Sequence, residues 1–313
     1  MSFRRPMNPL YSQPSSLLDY HHNHHHQISL TSQSLRDPPS HHHSTPSSPY
    51  PTPTSPPSST NIPASDARPQ EPPIPGKEYY PNQPKSLAGI ALRAFLLGTA
   101  FTTGLVSLTA LLLTTSSPLW RLPFFLSALS LFHFLEFWTT AAYNTPQATV
   151  HAFLLTANWP AYAIAHATAF AECLIANLAF PGAVWAPFGL RPAFLAAGLA
   201  LAVTGQTVRS AAMVTAGQSF NHTVQHYRAE SHILVTGGIY GWLRHPSYFG
   251  FFWWAIGTQL VMGNLVSLAA YAVVLWYFFA KRIRHEEELL VRFFGQEYVD
   301  YRKRVGIMIP FCG

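Results

Sequence analysis

Residues 217–250 read GQSFNHTVQHYRAESHILVTGGIYGWLRHPSYFG and form a long polar stretch in a chain whose neighbouring segments are apolar. The stretch holds four histidines and two arginines, and it ends in Arg244-His245-Pro246-Ser247-Tyr248, directly before an uncharged apolar run. A dense polar cluster at the mouth of a membrane-embedded segment is costly to maintain, so it marks a functional site. The stretch therefore predicts helices in a membrane and a site at their end.

The residues before the first apolar segment have a different composition. Residues 1–85 hold eighteen of the twenty-seven prolines and eight of the sixteen histidines. No apolar core follows the first arginines, so we expect no cleavable signal peptide. The tract is too polar to bury the apolar surface that would offset the entropy of ordering it. We therefore predict a disordered Pro/Ser/His-rich tail over residues 1–85.

Residues 86–216 are mostly apolar. Between residues 94 and 208 the only charged side chains are Arg121, Glu136, Glu172 and Arg191, whereas a soluble surface carries roughly a quarter or more charged residues. This predicts an all-α, polytopic membrane helical bundle over 86–216, with 217–313 as the catalytic, cofactor-binding region. We interpret the net charge of +6 as a bias toward the lipid bilayer surface, because no basic stripe with interleaved aromatic residues indicates nucleic-acid binding.

Helix-breaking residues divide the apolar sequence into predicted spans. We expect four, over residues 87–117, 124–143, 150–180 and 193–215, since a bilayer requires roughly 20 residues. Gly263-Asn264 divides the uncharged run 248–280 into two pieces of about fifteen residues, each about 22 Å long as a helix and short of a hydrocarbon core of about 30 Å. These pieces predict a helical hairpin that dips into the bilayer. A cytoplasmic amphipathic helix is expected over residues 281–300, where the basic residues begin.

Polar residues within the predicted spans have two interpretations. Glu136, His166 and Glu172 could line a cavity or a proton path, because ionisable residues at this depth are costly and usually functional. They could instead form hydrogen bonds between helices or lie near the lipid headgroups. The sequence favours the second interpretation.

The histidines of the polar stretch do not predict a metal site. His222 and His226 have the i, i+4 spacing of ligands on one helical face, but the sequence has no H-E-x-x-H motif, and no cysteine or clear acidic ligand lies nearby. A nucleophilic serine is also disfavoured, because Ser219 and Ser247 lack a G-x-S-x-G turn. We expect no metal in the site.

The sequence around Pro246 predicts a helix start that faces the polar stretch. Proline favours the first turn of a helix and an extended conformation in the residue before it, here His245. The free amides of such a helix end bind a carboxylate or a phosphate. Arg282 and Glu286 lie four residues apart at the same interfacial depth across the hairpin. We expect the two segments to converge on one pocket, although Arg282 and Glu286 could instead form a surface ion pair.

Three motifs resemble one enzyme family. GQSFNH, then SHILVTGGIYGWLRHPSYFG, then FFAKRIRHEEELLVRFFGQEYVDYRKRV are similar, in this order and over about residues 217–310, to the isoprenylcysteine carboxyl methyltransferases. The resemblance implies methylation of the free carboxylate of a C-terminal prenylated cysteine, with S-adenosyl-L-methionine, in the endoplasmic reticulum membrane. It implies prenylated Ras-like and a-factor-like substrates and an active site on the cytoplasmic side.

The resemblance also implies roles for individual residues. Arg282 would hold the substrate carboxylate, and Arg244 is a candidate second partner for the carboxylate or the cofactor. The implied cofactor-binding residues are Gln225, His232, Ile233, Leu234, Val235, Tyr240, His245, Pro246, Ser247, Tyr248 and Glu286.

The chemistry of this reaction agrees with these residue types. A C-terminal carboxylate has a pKa near 3.3–3.7 and is already a nucleophile at neutral pH, so no general base is needed. A guanidinium can hold it bidentately and keeps its charge. Two alternatives remain: a phospholipid N-methyltransferase or sterol reductase, which share an Arg-His-Pro-x-Tyr type of block, and a non-catalytic membrane scaffold or transporter, for which the convergence of these residues would have no purpose.

Overall fold

A computed structural model describes residues 76–180, 190–229 and 232–310. Within these ranges the regular structure is helical, and one isolated parallel bridge joins Leu243 to Gly306. The predicted all-α fold is confirmed. The α-helices are α1 (Leu87–Thr114), α2 (Arg121–Tyr143), α3 (Leu154–Ala157), α4 (Ala161–Ala179), α5 (Arg191–Ala216), α6 (Pro246–Met262), α7 (Leu265–Phe294) and α8 (Gln296–Arg304).

Among the described residues, four helical segments are long and apolar enough to cross a bilayer: Leu87–Thr114, Pro118–Tyr143, Ala161–Ala179 and Leu265–Phe294. The first of them is the most exposed. Its large side chains, such as Phe95 and Leu113, are 70% and 80% exposed, which is the arrangement that lipid contact favours. The chain is a multi-pass membrane protein.

The described structure begins inside the tail predicted over residues 1–85. Lys77–Tyr79 forms a 3₁₀ turn, and the amide of Val150 donates to the carbonyl of Pro84 at 2.7 Å. The side chain of Ser86 then caps α1 by accepting from the amide of Gly89 at 3.1 Å. Residues 76–85 are therefore folded, because backbone hydrogen bonds and a helix cap hold them. The histidine-rich tract lies outside the described residues.

The third predicted span, 150–180, is interrupted near its start. A 3₁₀ turn at Val150–Ala152 and the single turn α3 precede α4, which begins only after Pro160. Proline has no amide hydrogen for the helix ladder and clashes with the preceding turn, so one helix through this position is disfavoured.

The fourth predicted span, now α5, is not among the four candidate spans; its second half carries Gln206 and Arg209.

The predicted C-terminal hairpin is present, but its arms are unequal. α6 has 17 residues, Gly263 makes the turn with φ of 71°, and α7 continues for 30 residues. α7 is about 45 Å long, so the prediction of a short second arm was wrong. Residues such as Lys281 and Arg282 favour helix as strongly as leucine does, so the change in polarity does not end the helix. The helix ends at Gly295, with φ of 57°, and α8 follows.

α5 and α6 pack closely against each other in antiparallel directions, through facing glycines. A Cβ atom added at Gly257 would lie 2.5 Å from the backbone nitrogen of Ala202, and one at Gly250 would lie 2.6 Å from that of Arg209. Small residues allow helix backbones in a membrane to approach this closely. The close approach places Arg209 of α5 beside Ser247 at the start of α6.

Candidate active site

A cavity lies between the polar stretch and the polar half of α7, and its volume is about 110 Å³. Residues from the segment before α6, from the first turn of α6 and from α7 and α8 surround it. The lining residues are Ala216, Ser219, Phe220, Asn221, His232, Ile233, Leu234, Val235, Tyr240, Arg244, His245, Pro246, Ser247, Tyr248, Glu286, Leu290, Phe294, Tyr298 and Tyr301.

The residues that the family resemblance assigned to the cofactor lie around this space. All of them line the cavity except Gln225, which lines an adjoining cavity of about 50 Å³. The two cavities share five lining residues: Ser219, Asn221, His232, Glu286 and Leu290. The structure therefore brings together segments that are at least 38 positions apart in the sequence.

The helix start at Pro246 has the predicted geometry. His245 precedes the helix with φ of −124° and makes no side-chain capping bond, and Pro246 occupies the first turn. Pro246 has no amide hydrogen, and the amides of Tyr248 and Phe249 donate to the carbonyl of His245. The amide of Ser247 and the positive end of the helix dipole therefore adjoin the cavity. A carboxylate or another anionic group fits this position.

Tyr248 joins the two segments. Its hydroxyl accepts a hydrogen bond from Nε of Arg282 at 2.8 Å and donates one to Oε2 of Glu286 at 2.5 Å. Arg282 also donates from Nη2 to the carbonyl of His222 at 2.5 Å. Arg282 is not among the residues that line the cavity. Its guanidinium carbon lies 5.4 Å from the centre of the Tyr248 ring, and that ring stacks on the imidazole of His245. Arg282 and Glu286 are thus bridged by Tyr248 and do not form the surface ion pair considered from the sequence.

Arg244 lines the cavity, but its guanidinium is held by other protein groups. It donates from Nε to Oε1 of Glu287 at 2.8 Å, and from Nη1 to the carbonyls of Arg302 and Val305. The same carboxylate oxygen of Glu287 lies 3.2 Å from Nε2 of His245. Arg244 therefore attaches the C-terminal segment to the wall of the cavity. Sequence reasoning missed Glu287, whose only signal was its place in a run of three glutamates.

A buried ion pair supports the same wall from the membrane side. Arg209 of α5 binds both carboxylate oxygens of Glu136 of α2, and its Nη1 donates to the hydroxyl and the carbonyl of Ser247 at 2.9 and 3.1 Å. The rings of Phe132 and Phe251 flank the guanidinium at 5.3 and 5.2 Å. A charge this deeply buried is stable only when it is paired and hydrogen-bonded.

The three intramembrane polar residues have different partners. Glu172 accepts from the amides of Val266 and Ser267 at 2.8 and 2.7 Å, and His166 lies 3.1 Å from the hydroxyl of Tyr271. Both make contacts between helices, as the favoured interpretation predicted. Glu136 also does so, but its partner reaches the cavity wall, and the sequence gave no indication of that connection.

Burial favours the uncharged forms of three side chains in or near the cavity wall: His222, His232 and Tyr240. It lowers the pKa of His222 to about 4, with Glu136 opposing the shift and Arg209 adding to it. Burial and then Arg228 lower the pKa of His232. Burial and Glu286 raise the pKa of Tyr240 above its usual value. At neutral pH these side chains are neutral hydrogen-bonding groups, so the fixed charges here are the arginines and the glutamates.

The fold and the site together define a multi-pass helical membrane protein with a polar cavity at one end of its helices. The model of the isoprenylcysteine carboxyl methyltransferase family matches residues 198–292. The protein-S-isoprenylcysteine O-methyltransferase of Saccharomyces cerevisiae is 47% identical over 188 residues, which are 60% of this chain and 78% of that protein. That of Mus musculus is 39% identical over 223 residues, which are 71% of this chain and 75% of that protein.

A solved structure agrees with these sequence matches. It is described as the eukaryotic intramembrane Ras methyltransferase, isoprenylcysteine carboxyl methyltransferase, and it is 36% identical with a TM-score of 0.65, covering 75% of this chain and 80% of its own. The chain belongs to the isoprenylcysteine carboxyl methyltransferase family.

Proposed function

We propose that this protein transfers a methyl group from S-adenosyl-L-methionine to the free carboxylate of a C-terminal prenylated cysteine. The relatives carry the name of this activity. The observation that supports it most directly is the position of Arg282, which is joined through the hydroxyl of Tyr248 to the wall of a cavity. An anion-binding group beside such a cavity is what the reaction requires. The relatives and the structure compared above do not support the phospholipid N-methyltransferase alternative.

The cavity suits S-adenosyl-L-methionine in charge and shape. Glu286 offers a carboxylate to a cationic group, and the start of α6 offers the amide of Ser247 and the positive end of the helix dipole to an anionic one. Leu290 and Phe294 supply apolar walls for a flat heterocycle. When bound there, the cofactor supplies an electrophilic methyl group on a sulfonium.

The residues of the chain position the reactants and remove no proton. Arg282 is the residue we assign to the substrate carboxylate, because a guanidinium keeps its charge and holds a carboxylate in one orientation. Nε and Nη2 of Arg282 are occupied by Tyr248 and by the carbonyl of His222, so its position is fixed before substrate binds. Such preorganisation supplies the proximity on which this reaction depends. We assign Arg244 a structural role in the cavity wall, because its guanidinium already donates hydrogen bonds to Glu287 and to two backbone carbonyls.

The location and the substrates follow from the same assignment. Prenylated Ras-like proteins and a-factor-like peptides are the substrates expected for this family. We infer residence in the endoplasmic reticulum membrane, with the cavity on the cytoplasmic side, where the basic residues of the C-terminal segment lie. The prenyl chain would enter from the bilayer and the cofactor from the cytosol.

One assay tests this proposal. The purified protein in lipid nanodiscs would receive labelled S-adenosyl-L-methionine with either N-acetyl-S-farnesylcysteine or phosphatidylethanolamine. We expect a base-labile methyl ester on the cysteine derivative, and transfer to the lipid amine or to neither acceptor would overturn the proposal. Arg282→Ala should lower kcat/KM by at least about 100-fold, the cost typical of removing a group that positions the reacting atoms. Arg284→Ala, at an exposed arginine two residues further on, is the matched control and should retain activity.

A further inference from the structure

Arg121 is a buried cation at the end of α2 remote from the cavity. It is the first residue of α2, about 22 Å along the helix from Glu136. Only 7% of its surface is exposed, its Nε has no hydrogen-bond partner, and the ring of Trp120 lies 5.7 Å from its guanidinium carbon. An unpaired buried charge is costly, so this position calls for a counter-charge.

The chain does not supply that counter-charge among its described residues. The sequence 86–216 contains two acidic residues. Glu136 binds Arg209 at the other end of α2, and both carboxylate oxygens of Glu172 accept from the first amides of α7. Residues 181–189 contain no aspartate or glutamate.

A second arginine increases the positive charge at this end. Arg191, exposed at the start of α5, is close enough for its charge to act on Arg121. Neither α2 nor α5 has an acidic residue in its first turn, and α5 has no side-chain cap. α2 continues the 3₁₀ turn Pro118–Trp120, which the hydroxyl of Ser117 caps by accepting from the amide of Leu119 at 3.3 Å. The start of α7 is different, because Glu172 neutralises it. The two arginines, together with the uncapped start of α5, therefore make this end of the helices positive.

We propose that Arg121 and Arg191 bind the phosphodiester headgroup of a membrane phospholipid, at the opposite end of the helices from the methyltransferase cavity. Arg121 lies in the first turn of a candidate span, directly after Trp120, which is the depth of lipid phosphates and of interfacial tryptophans. A guanidinium fork fits a phosphate through two parallel hydrogen bonds. The site is independent of the methyl transfer and would anchor this end of α2 and α5 in the bilayer.

Native mass spectrometry of the purified, delipidated protein tests the proposal. The protein would be titrated with phosphatidylglycerol, with a neutral diacylglycerol of the same chains, and with inorganic phosphate. We expect one phosphatidylglycerol to bind and to raise the melting temperature, and diacylglycerol not to bind. Arg121→Gln should weaken that binding by about tenfold or more, equivalent to about 1.4 kcal/mol. Arg292→Gln, at an exposed arginine of α7, is the control and should bind as the wild type does.

Each other result overturns the assignment. Equal binding by wild type and Arg121→Gln would show that the lipid binds elsewhere. Stabilisation by inorganic phosphate to the same extent would show a site for free anions and not for lipid. Equal binding of diacylglycerol would show that the acyl chains alone are recognised. If Arg121→Gln does not fold, Arg191→Gln at the exposed partner should still weaken binding, and unchanged binding there would contradict the proposal.

Discussion

Arg282 donates a hydrogen bond from Nε to the hydroxyl of Tyr248 at 2.8 Å, and that hydroxyl in turn donates to Glu286. The ring of Tyr248 stacks on the imidazole of His245, with 5.5 Å between centroids and 5° between planes, and on Phe279 at 5.1 Å. One side chain therefore fixes the arginine assigned to the substrate relative to the cavity wall. The hydroxyl of Tyr248 positions Arg282, whereas its ring packs against His245 and Phe279, so a substitution can remove the first contact and keep the second.

Tyr248→Phe should impair catalysis more than folding. The variant keeps the stacked ring and removes the hydroxyl, so Arg282 and Glu286 lose their shared partner. A net loss of about 1 kcal/mol of stability is expected for one such hydrogen bond, whereas misplacement of the arginine should lower kcat/KM by about 10–100-fold. Transfer to N-acetyl-S-farnesylcysteine and thermal unfolding in nanodiscs would measure both effects.

Tyr271→Phe is the matched control for that variant. Its hydroxyl also bonds across helices, to His166 at 3.1 Å, but it does not line the cavity. We expect a similar small change in stability and an unchanged kcat/KM. A Tyr248→Phe enzyme as active as Tyr271→Phe would contradict the positioning role.

The apolar helices could be predicted from the sequence because each has a high mean hydropathy and at most two charged residues over a length that can cross a membrane. The extent of α7 could not. Hydropathy changes sharply at Lys281, yet a helix backbone does not respond to polarity, and α7 ends only at Gly295. Similarly, the helix break before α4 occurs at Pro160, and the mean hydropathy of the predicted span 150–180 did not indicate it.

The candidate site was predicted in part. The cavity-lining segment from His232 to Tyr248 was recognised from local motifs, which lie within a short range of sequence. The pair of Glu136 and Arg209 was not recognised, because 73 residues separate its members. Only the close packing of α5 on α6 brings Arg209 to Ser247.

Removing the charge of only one member of the Glu136–Arg209 pair should destabilise the folded protein. Glu136→Gln leaves the buried guanidinium without its carboxylate, and the free energy of unfolding should fall by about 3–5 kcal/mol. Replacing both residues, as Glu136→Leu with Arg209→Met, should recover much of that loss, because no buried charge remains. Equilibrium unfolding of the three proteins in the same detergent would measure the difference.

Activity should not recover together with stability in the double variant. Ser247 would lack both of its hydrogen bonds from Arg209, so the cavity wall at the start of α6 would lose its support. We expect a higher KM for S-adenosyl-L-methionine in a folded protein. A double variant no more stable than Glu136→Gln would contradict the electrostatic explanation.

The glycines between α5 and α6 should not tolerate a side chain. In Gly257→Ala the added methyl group would meet the backbone of Ala202 at 2.5 Å, so the helices must separate. A loss of about 1–3 kcal/mol is expected from such overpacking. Gly98→Ala in α1 is the control, since no atom lies within 4 Å of its added Cβ; it should be neutral or stabilising by up to about 1 kcal/mol. Equal melting temperatures for the two variants would contradict the close packing.

Stability should fall between pH 6.5 and 4 because of His222. Its pKa is lowered to about 4 in the folded protein, chiefly by burial, against 6.5 for an exposed histidine. Below pH 6.5 the unfolded chain binds a proton that the folded protein does not, so protonation favours unfolding. The contribution is complete above pH 6.5, declines as pH falls, and is constant below pH 4. His222→Gln cannot titrate, so its unfolding free energy should depend less on pH in this window. His226→Gln, at an exposed histidine, should keep the wild-type slope. A wild-type slope in His222→Gln would mean that His222 is not buried as a neutral group beside Glu136.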